Sequence, residues 1–127
     1  MENKKVKNAR KKTFDGIDFD SNLEVYTYQM LKKHNIKADY EPIKFVLVDK
    51  FKYQNESIRQ MTYTPDFVGN NFVIECKGHM NDAFPLKWKL FKKHLHDNNI
   101  LYDLYLPRNK KQIDEVIKKL LDGVQRN

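Results

Sequence analysis

Apolar residues recur along the chain with two periods, and the change from one to the other marks out the elements. Leu23, Tyr26, Met30 and Leu31 have helical spacing. Ser21-Asn22-Leu23-Glu24 precedes that face with the S-x-x-E form of a capping box. Together they predict a first helix over residues 21–34. Residues 43–48 are a short apolar run bounded by Pro42 and Asp49-Lys50, expected as a buried strand. Residues 50–59 are polar and read as a loop. Residues 61–68 and 72–77 read as two further strands. Gly69-Asn70-Asn71 between them is a tight-turn signal, so they should form a hairpin.

Residues 83–97 predict a second helix, with Pro85 tolerated in its first turn. Residues 100–106 read as a strand ended by Pro107. Ile113, Val116, Ile117, Leu120, Leu121 and Val124 mark a C-terminal amphipathic helix. The run from the third strand through the second helix to the fourth strand has the form of a right-handed βαβ crossover. The fold class is therefore α/β, with a mixed sheet and a C-terminal helix.

At 127 residues the chain suits one compact domain. Residues 1–14 stand apart: Lys4, Lys5, Lys7, Arg10, Lys11 and Lys12 are joined by almost nothing apolar. They read as a flexible basic arm, solvated or in contact with DNA, ahead of a domain over 15–127. The formal charge is +7, from 24 Lys and Arg against 17 Asp and Glu, which favours acidic partners and nucleic acid first. Cys76 is the single cysteine, so a disulfide framework and a Cys-rich zinc site are both excluded, and a reducing cytoplasm fits. No apolar run approaches the roughly 20 residues of a membrane span. The charged N-terminus is not a secretory signal, and no internal repeat is seen.

The chemistry lies on the predicted hairpin. Along a strand, Val73, Glu75 and Lys77 share one face, while Phe72, Ile74 and Cys76 share the other. Glu75 and Lys77 then stand about 7 Å apart along the strand. If Asn70-Asn71 is a two-residue turn, Asp66 lies directly opposite Glu75. A three-residue loop would instead put Pro65 there and send Asp66 to the other face. Two facing carboxylates repel unless a cation lies between them, and Mg²⁺ suits one or two carboxylates plus water and phosphate oxygens. A lysine beside that cation could orient or deprotonate a water, or stabilise a phosphorane. Such a set hydrolyses a phosphodiester.

Pro65-Asp66 followed by Glu75-Cys76-Lys77, in a hairpin leading into a helix, resembles the PD-(D/E)XK nucleases. The predicted element order also resembles that superfamily's αβββαβ restriction-endonuclease-like core. Leu23-Glu24, Ile36-Lys37, Tyr40-Glu41, Tyr63 to Phe67 and Glu75 to Gly78 look like the corresponding run in the phage endonuclease I family of Holliday-junction resolvases. Asp15-Gly16, Phe19-Asp20-Ser21, Leu23-Glu24 and Lys87 to Phe91 look like a related, uncharacterised phage nuclease family. The resemblance spans residues 13–97. It implies an endodeoxyribonuclease using Mg²⁺ or Mn²⁺, with Asp66 and Glu75 as metal ligands and Lys77 as the catalytic lysine. It also implies Glu24 as a further catalytic carboxylate and metal ligand, and the Cys76 carbonyl as an additional ligand. By residue type alone, Glu24 reads first as the fourth member of the capping box, bonding the Ser21 backbone, and only the resemblance favours a metal ligand. The implied substrate is branched DNA of the Holliday-junction type, met by a homodimer because a junction presents symmetric strands. The implied location is the cytoplasm, that of a bacterial host if the chain is phage-encoded. A nicking or genome-processing nuclease of the same fold, and a catalytically silent DNA-binding module, are the other readings.

Lys87, Lys89, Lys92 and Lys93 on the second helix, with Arg10, Lys11 and Lys12 of the arm, are the candidate phosphate contacts. A plain solvated helix face is the alternative for the former. Leu86, Leu90, Phe91 and Leu95 are expected on the apolar arc, with Trp88 at its edge and His94 packed within it.

Overall fold

The computed structural model describes residues 12–126, with side chains through residue 123. Arg10, Lys11 and the rest of residues 1–11 lie outside the described residues. The fold is α/β, with helices, a mixed sheet and a C-terminal helix. Backbone contacts divide it into two compact units: residues 38–106, and the segments on either side of them.

In the flanking unit, β1 (Lys12–Phe14) and β2 (Ile17–Phe19) form an antiparallel hairpin. Residues 12–14, expected to belong to the basic arm, are thus a strand of this hairpin. The turn residues Asp15 (φ 54°) and Gly16 (φ 76°) both take the left-handed conformation, which a two-residue hairpin loop requires and Asp-Gly supplies. Phe19 is fully buried against the Tyr28 ring, 5.1 Å away. Helix α1 (Asn22–Lys33) carries Tyr28 and is N-capped by Ser21, whose hydroxyl accepts from the Glu24 amide at 3.2 Å. Helix α3 (Lys110–Arg126) begins three residues before its first apolar position, because Asn109 caps it by accepting from the Gln112 amide at 2.9 Å. Among its described side chains Ile113, Val116 and Ile117 are buried, and Val124 lies outside them. The Tyr26 hydroxyl ties α1 to α3 by donating to Asp114 at 2.5 Å.

In the central unit, β3 (Ala38–Tyr40), β8 (Phe67–Gly69), β9 (Phe72–Ile74) and β10 (Asp103–Tyr105) form a four-stranded sheet in the order β10-β9-β8-β3. It is mixed: β9 and β10 run parallel, and the other neighbours antiparallel. Helix α2 (Phe84–Asp97) joins the parallel pair, as expected for a βαβ unit. Two small ribbons complete the unit. β4 (Phe45–Val48) pairs with β7 (Met61–Tyr63), and β5 (Phe51–Tyr53) with β6 (Glu56–Ile58).

Several expectations need correction. Residues 43–48 were expected to be a buried strand, yet Ile43 is 42% exposed and within β4 only Phe45 is buried. Residues 50–59 are a hairpin rather than a loop, turned at Gln54, whose φ is 54°. Residues 61–68 are not one strand. The chain leaves its β4 partner at Thr64 and joins a different sheet at Phe67. Pro65 lies at the break, where its missing N–H costs the ladder nothing. Ladder pairing ends at Ile74, earlier than expected, although the Glu75 amide still donates to the Tyr105 carbonyl at 2.9 Å.

The core of the central unit is aromatic. Phe45, Tyr63, Phe84, Trp88, Phe91 and Leu95 cluster over Val68 and Val73 of the sheet. On α2 the buried stripe is Phe84, Trp88, Phe91 and Leu95, at i, i+4, i+7 and i+11. Leu86, expected on that arc, is 56% exposed because two residues at about 100° each carry it to the far side from Phe84. Trp88 sits within the stripe rather than at its edge. His94 packs edge-on against Phe45, with centroids 5.6 Å apart. Among the described residues no helix is long and apolar enough to cross a membrane.

Candidate active site

The β8–β9 hairpin has the two-residue turn. Phe67 pairs with Ile74 and Val68 with Val73, so Asn70 and Asn71 form the loop and the next rung brings Asp66 opposite Glu75. The pairing is visible in the hydrogen bonds. The Cys76 amide donates to Asp66 Oδ2 at 2.8 Å, and the Asp66 amide donates to Glu75 Oε1 at 3.3 Å. Each carboxylate is thus tied to the backbone of the opposite strand. Both are buried, at 7% and 5% exposure, in a fold that keeps most carboxylates in water.

Glu75 is held from three sides. The Tyr63 hydroxyl donates to Oε1 at 2.5 Å, and Lys77 Nζ stands 3.5 Å from Oε2. Lys77 in turn lies over the Phe84 ring, 4.6 Å from its centroid, so the first turn of α2 fixes the ammonium group. Two residues apart on one strand, Glu75 and Lys77 share a face, as alternation requires. Tyr63 entered the sequence reading only as the first residue of the run to Phe67, with no role assigned to it. Spacing offered no signal for it, because the change of sheet at Thr64–Asp66 breaks the alternation that would place Tyr63 relative to Asp66.

Burial pushes the Glu75 carboxyl above its ordinary value, against the lowering pulls of the Tyr63 hydroxyl, Lys77 and the Asp66 amide. Burial, then the charge of Glu75, push the Tyr63 phenol far up, so it stays protonated and acts as a donor. The unit therefore stores a carboxylate that pays heavily for desolvation and is kept in place by a fixed phenol and a fixed ammonium.

Asp66, Glu75, Cys76 and Lys77 thus come together in one unit. Cys76 is buried, with its amide spent on Asp66, in keeping with a small core residue. Glu24 belongs to the other unit. It is buried there, and its Oε1 accepts from the Asp20 amide at 3.3 Å, one residue beyond the Ser21 amide of an ideal capping box. Two hard carboxylates with a lysine alongside suit Mg²⁺ or Mn²⁺ chemically, with water and phosphate oxygens completing the shell. Among the described residues no group of three His, Cys, Asp or Glu side chains could hold a metal, so Asp66 and Glu75 would be the side-chain ligands in this unit.

The lysines of α2 fall into two sets. Lys89, Lys92 and Lys93 are exposed, as expected, whereas Lys87 is half-buried. Lys93 is already paired with Asp97 at 2.9 Å, and that hydrogen bond, with one from His96, holds the Asp97 carboxyl below its usual range. Lys92 lies 6.0 Å from the Trp88 ring.

A search of curated proteins and of solved structures finds no match. A family model described as "Protein of unknown function (DUF1064)" matches residues 4–111, a span that contains α1, the whole central unit and every residue of the carboxylate–lysine site. The chain belongs to the DUF1064 family.

Proposed function

We propose that the protein is a metal-dependent endodeoxyribonuclease, with Asp66, Glu75 and Lys77 as its catalytic centre. The observation that carries this reading is the pair of buried carboxylates facing each other across the β8–β9 turn with a lysine pinned beside them. Burying two acids together is costly, and a bound cation is a direct way to offset it. Asp66 and Glu75 would hold the divalent cation, which would supply Lewis acidity at a phosphoryl oxygen and a water acidified for attack. Tyr63 and the Asp66 amide keep Glu75 in one orientation. Lys77 offers positive charge to a developing phosphorane, or a hydrogen bond to the attacking water. The resemblance to junction resolvases favours branched DNA as substrate, a homodimer as the working form and the cytoplasm as the setting, that of a bacterial host if the chain is phage-encoded.

The test is plasmid nicking with Mg²⁺, Mn²⁺ and EDTA in parallel, followed by four-way junction, flap, duplex and single-strand substrates. Metal-dependent nicking supports the reading, and the substrate series separates a resolvase from a nicking or genome-processing enzyme. DNA binding without cleavage in either metal overturns it. That outcome would favour a silent DNA-binding module, in which the partners of Glu75 are purely structural.

Two variants probe the periphery. Changing Lys89, Lys92 and Lys93 together to Ala is expected to weaken binding to all sequences and to flatten the salt dependence by up to about three phosphate contacts. An unchanged slope in a salt titration would make this an ordinary solvated face. Glu24→Gln is expected to keep stability within about 1 kcal/mol, since an amide oxygen still accepts from the Asp20 amide. Denaturation and cleavage measured on the same protein separate the two roles of Glu24. Stability kept with cleavage lost would support the role that the resemblance implies, and full cleavage would leave Glu24 as a cap.

A further inference from the structure

The β5–β6 hairpin sorts its charges by face. In its register Phe51 pairs with Ile58, Lys52 with Ser57 and Tyr53 with Glu56. Strand alternation puts Phe51, Tyr53, Glu56 and Ile58 on one face, and Lys52 and Ser57 on the other. Carried one residue past the open end, the same alternation sets Lys50 across from Arg59 on the face of Lys52. Asp49 falls with the aromatic face. Over residues 49–60 the cations, Lys50, Lys52 and Arg59, therefore share one face, while both acids, Asp49 and Glu56, lie on the opposite one. Lys50, Lys52, Ser57 and Arg59 are all exposed. Among the described residues no ion pair engages any of the three cations.

An isolated two-stranded ribbon is marginal in water, and like charges facing each other across it weaken it further. An acid on the cationic face would relieve the repulsion, yet both acids are on the other side. A polyanion seated on that face relieves it instead. Lys50 and Lys52 stand about 7 Å apart along the strand. Arg59 adds a planar fork of donors beside Lys50, and the Ser57 hydroxyl adds a neutral donor beside Lys52. These are the groups that hold phosphate oxygens without reading bases. The face carries no ring on which an unpaired base could stack, so it responds to charge density and not to exposed bases. Duplex DNA supplies that density, with one charge per ~1.7 Å of its axis.

We propose that the Lys50–Lys52–Arg59 face of the β5–β6 hairpin docks on the phosphate backbone of duplex DNA. The choice of DNA among polyanions rests on the nuclease reading, and the sorted positive charge supplies the complementarity. The face anchors the duplex independently of sequence and adds to whatever the lysines of α2 contribute.

The experiment is fluorescence anisotropy of the full chain with labelled duplexes across a salt series. It is run in EDTA, so that cleavage plays no part. Lys50→Gln, Lys52→Gln and Arg59→Gln together are expected to cost about tenfold or more in duplex affinity at low salt and to lower the salt slope by up to about 2.7. Two duplexes of unrelated sequence should lose affinity alike. On a single strand the slope should fall by less, up to about 2.1. Lys50→Arg with Lys52→Arg should retain the binding. Phe51→Ala with Tyr53→Ala, on the other face, should leave duplex affinity and slope at wild-type values. The changed positions are exposed, so circular dichroism should show folded variants, and Lys52→Gln alone should still lower the duplex slope by up to about 0.9. Wild-type affinity and slope in the folded triple variant overturn the proposal, as does a wild type that does not bind duplex. A loss confined to one of the two duplexes overturns it, and so does an equal loss in the aromatic variant. Full duplex affinity in a triple variant that changes from dimer to monomer by sedimentation also overturns it, and would make a second copy of the chain the occupant. Plasmid nicking with Mg²⁺ is measured alongside. Nicking by the wild type, with binding unchanged in the triple variant, overturns the docking face and leaves the catalytic reading standing. The expected loss of slope without any metal-dependent nicking does the reverse.

Discussion

Glu75→Gln is expected to remove cleavage while leaving the protein at least as stable as the wild type at neutral pH. The loss should be about a hundredfold or more, because an amide removes a full negative charge from the ligand set and several kcal/mol of barrier lowering with it. The gain follows from burial. Desolvation raises the Glu75 carboxyl above its ordinary value, so the folded state favours the protonated, neutral form. The stability this contributes is fully present below the ordinary carboxylate range and is lost as pH rises through the raised folded value. Gln mimics the neutral form at every pH and can still accept from the Tyr63 hydroxyl and the Asp66 amide. Urea denaturation in EDTA at a series of pH values should show the wild type losing stability relative to the variant as pH rises. Wild-type cleavage by the variant would sink the catalytic assignment. A variant that becomes steadily less stable than wild type toward neutral pH would show that the charge itself, paired with Lys77, supports the fold.

Phe91→Ala should be the most damaging single change to the central unit, costing about 3–5 kcal/mol. Phe91 is fully buried, and its ring meets Tyr63 at 4.8 Å, Phe45 at 5.1 Å and Trp88 at 5.8 Å between centroids. It is the point where α2, β4 and β7 meet one another, and no small side chain fills the space between three rings. Against a typical total of about 5–15 kcal/mol, that loss is a large share of the whole. The midpoint of urea unfolding gives the measurement, and Phe91→Leu should cost clearly less because it leaves a smaller void. A loss below about 1 kcal/mol in Phe91→Ala would mean that the cluster closes over the gap. Because Tyr63 packs on Phe91 and bonds Glu75, this core also supports the site.

Much of the site was legible before the fold was known. A two-residue turn at Asn70-Asn71 is enough to place Asp66 across from Glu75, and strand alternation is enough to put Lys77 beside it. The three helices were legible for the same local reason, each having an apolar stripe and a chain-breaking or capping residue at its ends. The N-terminal hairpin was hidden by composition: lysines up to Lys12 looked like a solvated arm, although Asp15-Gly16 is a strong local signal for the turn. Strands β3, β5 and β6 are three residues each, too short for alternation to rise above the polar residues around them.

By itself, then, the sequence determined what depends on near neighbours: where the first two helices start and stop, and which side chains of one strand share a face, whereas the choice between a two- and a three-residue turn at Gly69-Asn70-Asn71 was left to the structure. Only the tertiary structure decided what depends on distant partners. It sent residues 61–63 and 67–69 into different sheets on either side of Pro65, and put β3 rather than β4 at the edge of the four-stranded sheet. It also turned α2 so that Phe84 and Trp88, not Leu86, face inward. The same long-range packing brought the Tyr63 hydroxyl to Glu75 and buried that carboxylate. Burial is set by everything that surrounds a group, so the raised Glu75 carboxyl is a property of the assembled unit and of no segment within it.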